Sequence, residues 1–356
     1  MSLPVFHALK VTDVRRETED AVSLTLEAAE AEAFGFLPGQ HLTLRQQIAG
    51  EDVRRNYSIC ATAGEPLRVA IKRVPGGVFS NWATEHLAAG DLIEAMAPHG
   101  HFTWQFRAGT RATYVGIAGG SGITPILSIL KTGLATETDS RFVLLYGNRS
   151  SNSIMFLEEL AALKNRYLNR LQVYHFLTAE ADDVELFNGR IDAARMEMIL
   201  EGLVDPTQID AAFICGPGAM MDSAEIALHA AGVPAGVVLV ERFTAGPRSE
   251  ADVARERALE QRAAGLKVQV TLDGRRRTIE FDAAKGSILE NARTAGLPAP
   301  FACKAGVCAT CRARLVAGEV EMKVNYGLSQ EEVARGYVLT CQAVPLTEGV
   351  VLDYDA

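Results

Sequence analysis

Four of the six cysteines in this 356-residue chain lie in its last fifth, as Cys303-x4-Cys308-x2-Cys311 and then Cys341. Three thiolates from one tight loop and a fourth from far along the chain is the plant-type spacing for a 2Fe–2S cluster. Two sulfide-bridged ferric ions need four soft ligands. A loop that wraps them closely needs small residues, and here it carries Ala302, Ala305, Gly306, Ala309 and Thr310. Its N–H groups can then point at the sulfurs and tune the potential. The competing reading is a structural zinc site. Zinc ordinarily takes cysteines as two closely spaced pairs, whereas Cys341 stands alone in the apolar run Val338-Leu-Thr-Cys341. Cys60 and Cys215 read as isolated thiols.

A second candidate is Gly119-Gly-Ser-Gly-Ile-Thr-Pro125, which follows the apolar run Tyr114–Ala118 and opens a helical stretch. Glycine lets backbone turn sharply and approach a pyrophosphate, and a helix N-terminus faces an anion. Pro125 suits the first helical turn. It also takes the sixth position of the dinucleotide fingerprint, so the full pattern is absent, and a plain turn is the alternative. The next strand, Phe142–Tyr146, leads to Gly147-Asn-Arg-Ser150 with no acidic residue at its tip. An acidic residue there would bind the 2′-hydroxyl of NAD, while an arginine takes the 2′-phosphate of NADP. Arg149 therefore points to NADPH, with NADH open and a solvated loop arginine as the alternative. Ala211-Ala-Phe-Ile-Cys-Gly-Pro217 repeats the strand-then-glycine design, and Cys215 falls at a strand's carboxyl end, or is simply a buried small residue.

The elements that must position these residues change along the chain. The first hundred residues alternate short period-two runs with turns (Val22–Leu26, His41–Leu44, Asn56–Cys60, Leu67–Lys72), which predicts an all-β barrel or sandwich interrupted by a helix near Ser80–Ala88. From about Thr110, apolar runs alternate with helical stretches, which predicts a parallel sheet with crossover helices. The Ala-, Arg- and Glu-rich segment 246–265 reads as a solvated linker with helical tendency. Beyond it, Lys267–Leu272 and Arg277–Phe281 flank Asp273-Gly274, a hairpin signal, followed by a helix over Ser287–Ala295 and the cysteine loop. The expected domains are 1–107, 108–245 and 266–356. With 44 acidic against 35 basic residues the net charge is −9, which argues against a nucleic-acid partner. Met1–His7 shows no secretory signal. The uncharged stretch Ala112–Leu130 carries four glycines beside Pro125 in its middle, so a soluble cytoplasmic chain is expected, with no membrane partner.

Together these residues resemble the ferredoxin-NADP reductase superfamily, in the branch with a ferredoxin domain fused at the C-terminus. The resemblance covers nearly the whole chain and implies an FAD-binding antiparallel β-barrel, an α/β nucleotide domain and an α+β (β-grasp) 2Fe–2S domain. The family's flavin motif matches Arg55-Asn-Tyr-Ser58. By similarity Arg55 meets the FAD pyrophosphate, Tyr57 lies against the isoalloxazine and Ser58 reaches its N5 edge. Its second flavin motif matches Gly77-Val-Phe-Ser80 after Ile71-Lys72, so Lys72, Gly77, Val78 and Ser80 join the flavin set. The nucleotide motif G-x-G-x-x-P is Gly120 to Pro125, with Gly122 and Thr124 inside it. Cys215-Gly216-Pro217 falls near the nicotinamide, and Glu241-Arg-Phe243 supplies the terminal aromatic. The implied catalytic group is Tyr57, Ser58, Cys215 and Glu241. Hydride would pass from NADPH to FAD and single electrons through the cluster to a protein partner, the oxygenase component of a multicomponent system. A di-iron oxygenase and a ring-hydroxylating dioxygenase both fit that role. A cluster-bearing redox sensor would share the cysteines but has no need of an intact flavin motif.

Overall fold

The computed structural model describes residues 5–243 and 249–356. These form two compact units, Phe6–Glu241 and Arg242–Ala356. The N-terminal tip and the start of the expected linker, residues 1–4 and 244–248, lie outside the described residues.

In the first unit, β1 (His7–Thr18), β2 (Ala21–Ala28), β3 (His41–Ile48), β4 (Glu51–Ser58), β5 (Leu67–Lys72) and β6 (Leu92–Ala95) make one antiparallel sheet, ordered β4-β3-β6-β1-β2-β5. A single bridge between Ile59 and Val69 joins its two ends. The inward alternate residues, among them Leu9, Val11, Leu24, Leu42 and Leu44, are fully buried, as period-two patterning requires. Helix α1 (Val78–His86) plugs one end through Phe79 and Ala83.

The parallel sheet orders β11 (Val238–Glu241), β10 (Ala211–Cys215), β7 (Thr113–Gly119), β8 (Arg141–Asn148) and β9 (Leu171–Leu177). Helices α2 (Ile123–Thr136), α3 (Leu157–Arg166), α4 (Ala193–Gly202) and α5 (Gly218–Ala230) make the crossovers. Because β7 lies between β10 and β8, the glycine turn sits where strand order reverses, the usual ligand crevice of such sheets. The apolar character of 112–130 follows from its position. Ten residues of α2 are buried, and the Ser128 hydroxyl donates to the carbonyl of Ala61 at 2.6 Å, tying the helix to the barrel. Arg68 reaches Glu159 of α3 at 2.7 Å, and Lys131 of α2 reaches both Glu65 and Glu159.

The second unit begins with α6 (Glu250–Ala263), started by Ser249, whose hydroxyl accepts from the N–H of Asp252. This is a departure from the solvated linker expected over 246–265. Leu259 and Ala263 are buried in the unit's core, and Glu260 pairs with Lys323 at 2.8 Å. The helix has little apolar periodicity because one leucine and one part-buried ion pair suffice to seat it. Strands β12 (Lys267–Leu272) and β13 (Arg275–Glu280) form the hairpin, with Asp273 at φ 51° and Gly274 at φ 69°, the two positive angles of a type I′ turn. Helix α7 (Ile288–Thr294), β14 (Arg312–Ala317), β15 (Val320–Met322), α8 (Gln330–Ala334), β16 (Tyr337–Leu339), β17 (Ala343–Pro345) and β18 (Val350–Asp353) complete it. The main sheet runs β13-β12-β18-β14-β16, with α7 packed beneath it. Among the described residues no helix is long and apolar enough to cross a membrane.

Candidate functional site

On the barrel, β4 carries Arg55 and Tyr57 on one face and Ser58 on the other. Arg55 is exposed, its guanidinium folded back on the carbonyl of Arg54. The Tyr57 ring lies 5.5 Å from Phe79 of α1, and burial pushes its phenol up, so it stays neutral at physiological pH. Ser58 is buried opposite His41. The turn before α1 is closed by Ser80, whose hydroxyl accepts from the N–H of Val74 at 3.1 Å. A side chain on Gly77 would meet that hydroxyl at 2.7 Å. Val78 begins α1 and is exposed, and no side chain caps this helix N-terminus among the described residues. Lys72 faces Asp20 at 3.6 Å.

At the carboxyl edge of the parallel sheet, the glycines divide into two kinds. A Cβ on Gly122 would fall 2.1 Å from the carbonyl oxygen of Cys215, one on Gly119 2.4 Å from the ring of Pro217, and one on Gly216 2.8 Å from the N of Gly119. Gly122 and Gly216 let two turns touch backbone to backbone, and Gly119 leaves room for the Pro217 ring. Gly120 differs: its φ is +52° and nothing lies within 4 Å of its absent side chain. Its carbonyl accepts from the hydroxyl of fully buried Tyr146 at 3.0 Å. Thr124 donates to the carbonyl of Ser121. Arg149 follows β8 on the same edge and is exposed, with no guanidinium partner among the described residues.

Cys215 lies in register with Ala118 on one side and Glu241 on the other. Burial pushes its thiol well up, and Glu241 adds to the rise, so it is a neutral thiol rather than a thiolate. Glu241 in turn lies 3.9 Å from Nδ1 of His41. His41 is buried, its Nε2 is 3.3 Å from the Asn56 amide, and its ring meets His99 edge-on at 4.3 Å. Burial, helped by His99 and His101, holds it well below the usual imidazole range, hence uncharged. His41 was not singled out from sequence, because it stands in a period-two strand that gives no sign of what lies opposite. Phe243 is 39% exposed and belongs to the second unit.

In that unit the four cysteines fall into two facing pairs, Cys303 with Cys308 and Cys311 with Cys341. Among the described residues no three metal-binding side chains gather on one point. The pairs are near enough to act on one another, Cys308 on both Cys311 and Cys341, so the loop and the distant cysteine bring four thiols together, the donor set a 2Fe–2S cluster takes. The N–H of Cys303 points to the sulfur of Cys308 at 3.4 Å, and that of Ala305 to Cys303 at 3.3 Å. Left-handed backbone at Lys304, Gly306 and Ala309 aims these groups inward. The carbonyl of Gly306 is clamped by the N–H groups of Tyr326 and Gly327. Cys341 arrives through Thr340, whose hydroxyl donates to the carbonyl of Cys311 at 2.8 Å, and through Gln342, which donates to the carbonyl of Lys304 at 3.0 Å.

Three family models cover these regions: an oxidoreductase FAD-binding domain over 8–104, an oxidoreductase NAD-binding domain over 117–225 and a 2Fe–2S iron-sulfur cluster binding domain over 270–346. One of the subunits of 1,2-phenylacetyl-CoA epoxidase from Escherichia coli (strain K12) is 46% identical over 359 residues, covering 99% of each chain. The chain belongs to the ferredoxin-NADP reductase superfamily, in the branch that ends in a 2Fe–2S ferredoxin domain. The ferredoxin reductase component of 3-ketosteroid-9-alpha-monooxygenase from Mycolicibacterium smegmatis is 36% identical, over 98% of this chain and 96% of that one. Phthalate dioxygenase reductase shares the fold, at a TM-score of 0.58 and 23% identity over 98% of both chains. A member of this branch is an NAD(P)H-dependent oxidoreductase with FAD-binding, nucleotide-binding and 2Fe–2S domains, so the expected cofactor classes and domain order hold.

Proposed function

We propose that this chain is the reductase component of phenylacetyl-CoA epoxidase in aerobic phenylacetate breakdown, drawing on NADPH and supplying single electrons to a di-iron oxygenase. The observation that carries the reading is the full-length 46% identity to a component of such an epoxidase, on a chain that keeps the paired thiols and both glycine turns. The reductase of another oxygenase is the second reading, favoured by the 36% identity to a ketosteroid monooxygenase component.

Bound FAD would exchange a hydride with the nicotinamide on one side and single electrons with the cluster on the other. The chain's own residues set the conditions. Arg55 and the α1 N-terminus, from Gly77 through Val78 and Ser80, offer charge and N–H groups to a pyrophosphate. Tyr57 offers a neutral aromatic face. Ser58 and the Cys215 thiol are uncharged groups, so they can line a hydride path without attracting water or competing as nucleophiles. Glu241, held beside His41, supplies a carboxylate at that sheet edge. Gly120 and Thr124 open the second phosphate cradle, and Gly216-Pro217 shapes its wall. By the family resemblance, Phe243 would supply the terminal aromatic. Cys303, Cys308, Cys311 and Cys341 hold the cluster.

Two experiments test this reading. Cys308→Ser should abolish the cluster's visible absorption, keep FAD and ferricyanide reduction, and stop NADPH-driven turnover of the phenylacetyl-CoA oxygenase. Wild-type turnover by the clusterless variant at equal FAD content would refute the electron path. Arg149→Ala should raise KM for NADPH about tenfold or more while leaving NADH nearly unchanged, because only NADPH carries the 2′-phosphate. Equal losses for both would remove Arg149 from cofactor choice.

A further inference from the structure

The second unit carries a row of cations that leads to the cluster loop. On edge strand β13, Ile279 points into the core, so Arg277 and Arg275, two and four residues earlier, share its side of the sheet, while Arg276 faces the other way. Arg277 donates through Nη1 to the carbonyl of Ala295, at the end of α7. Two residues back, Arg293 donates to the carbonyl of Ala299 at 3.2 Å and lies 4.1 Å over the ring of Phe301. Lys304, the residue after Cys303, lies 4.5 Å over the same ring and pairs with Glu290 at 2.7 Å. Lys304 and both β13 arginines are exposed.

We infer that this row, Arg275–Arg277–Arg293–Lys304, is the docking face for an acidic surface of the protein that takes electrons from the cluster. The inference rests on the reading of the chain as an oxygenase reductase and adds the surface and the charge of its partner. A charged edge strand also deters sheet-to-sheet aggregation, but that purpose needs no ordered side chains. Here three of the four cations are already held by a carbonyl, a ring or a carboxylate, so little side-chain entropy is lost on docking. The chain as a whole is at −9. An acidic partner is therefore repelled by most of the molecule and drawn to this row, which turns the encounter toward the cluster.

The test uses full-length protein loaded with FAD and cluster. Arg277→Glu, and separately Lys304→Gln, should raise KM for the phenylacetyl-CoA oxygenase at low salt, by about tenfold for the reversal. The difference should vanish near about 1 M salt, where screening reaches about 3 Å. Arg276→Glu makes the same charge change on the opposite face and should raise KM less than about twofold. Cytochrome c, a basic acceptor, supplies an arm independent of the oxygenase, and Arg277→Glu should lower its KM. If the wild type fails to drive the oxygenase, the functional reading fails and the cytochrome c arm still decides the row. Cluster absorption and ferricyanide rates identify any variant that has lost its fold, and Arg277→Gln then replaces the reversal. Unchanged KM for both acceptors overturns the inference, as does an equal effect of Arg276→Glu. So does slowed NADPH-driven cluster reduction with acceptor KM unchanged, which would assign the row to transfer within the chain.

Discussion

Replacing Gly122 with alanine places a Cβ 2.1 Å from the carbonyl oxygen of Cys215, 2.4 Å from its carbonyl carbon and 2.8 Å from the N of Gly216. All three are backbone atoms, so no rotamer change relieves the clash. Ordinary contact begins near 3.4 Å. The turn after β10 must therefore withdraw from the start of α2 by about 1.3 Å, or the helix must tilt. Overpacking of this kind costs about 3 kcal/mol, which in a unit of this size lowers the melting temperature by about 6–12 °C. Gly120→Ala is the contrast. Its site is open and only the left-handed backbone opposes the change, at about 1 kcal/mol. That variant should melt within a few degrees of wild type yet bind the nicotinamide nucleotide more weakly, because the methyl group enters the space left for the phosphates. The assays are thermal unfolding of the FAD-loaded protein followed by flavin fluorescence, and KM for NADPH with ferricyanide as acceptor. If Gly122→Ala melts within about 1 °C of wild type, the backbone-to-backbone contact is not what requires glycine there. If Gly120→Ala leaves KM unchanged, the open position is not part of the phosphate cradle.

Arg68→Ala should destabilise the first unit by about 2–3 kcal/mol, since it leaves part-buried Glu159 with Lys131 alone. A double-mutant cycle with Glu159→Ala, read by urea denaturation, should give a coupling above about 1 kcal/mol, and a value near zero would contradict the pairing. Folded His41 resists protonation because it is buried, while the unfolded chain binds that proton near pH 6.5. Stability from this residue is thus complete above about pH 6.5 and is lost as pH falls toward the depressed folded value, by up to about 1.4 kcal/mol per pH unit. His41→Gln should flatten that acid limb, and an unaltered pH profile of the denaturation midpoint would count against a buried neutral imidazole. Cys60, which burial pushes up to about 12, should cost stability as pH rises through about 9 to 12, because only the unfolded thiol ionises. Cys60→Val should remove the effect.

What the sequence determined lies within short stretches of chain. The Asp273-Gly274 turn needs two positive φ angles, and those two residues adopt them cheaply. The cysteine loop needs small residues among its ligands, and Ala305, Gly306, Ala309 and Thr310 stand within nine positions of chain. The strand–glycine–helix unit at 114–125 states its own geometry, and the four short period-two runs read from sequence become strands of one sheet because their alternate faces must be buried. Tertiary structure decided everything that depends on two distant stretches meeting. From sequence, Gly119, Gly120 and Gly122 look equivalent. Only the approach of the 215–217 turn makes two of them packing residues and leaves one open. The pairing of Cys311 with Cys341 depends on Thr340 and Gln342 reaching back to the loop. The helix over 250–263 is seated by Leu259 and by Glu260 meeting Lys323, 63 residues away, and too few apolar residues announce it. Likewise His41 faces Glu241 across 200 positions of chain. Local pattern carries backbone preference and the burial of one face. Which side chain lies opposite that face is settled by the packing of the whole unit, and most of the candidate site's electrostatics are settled there.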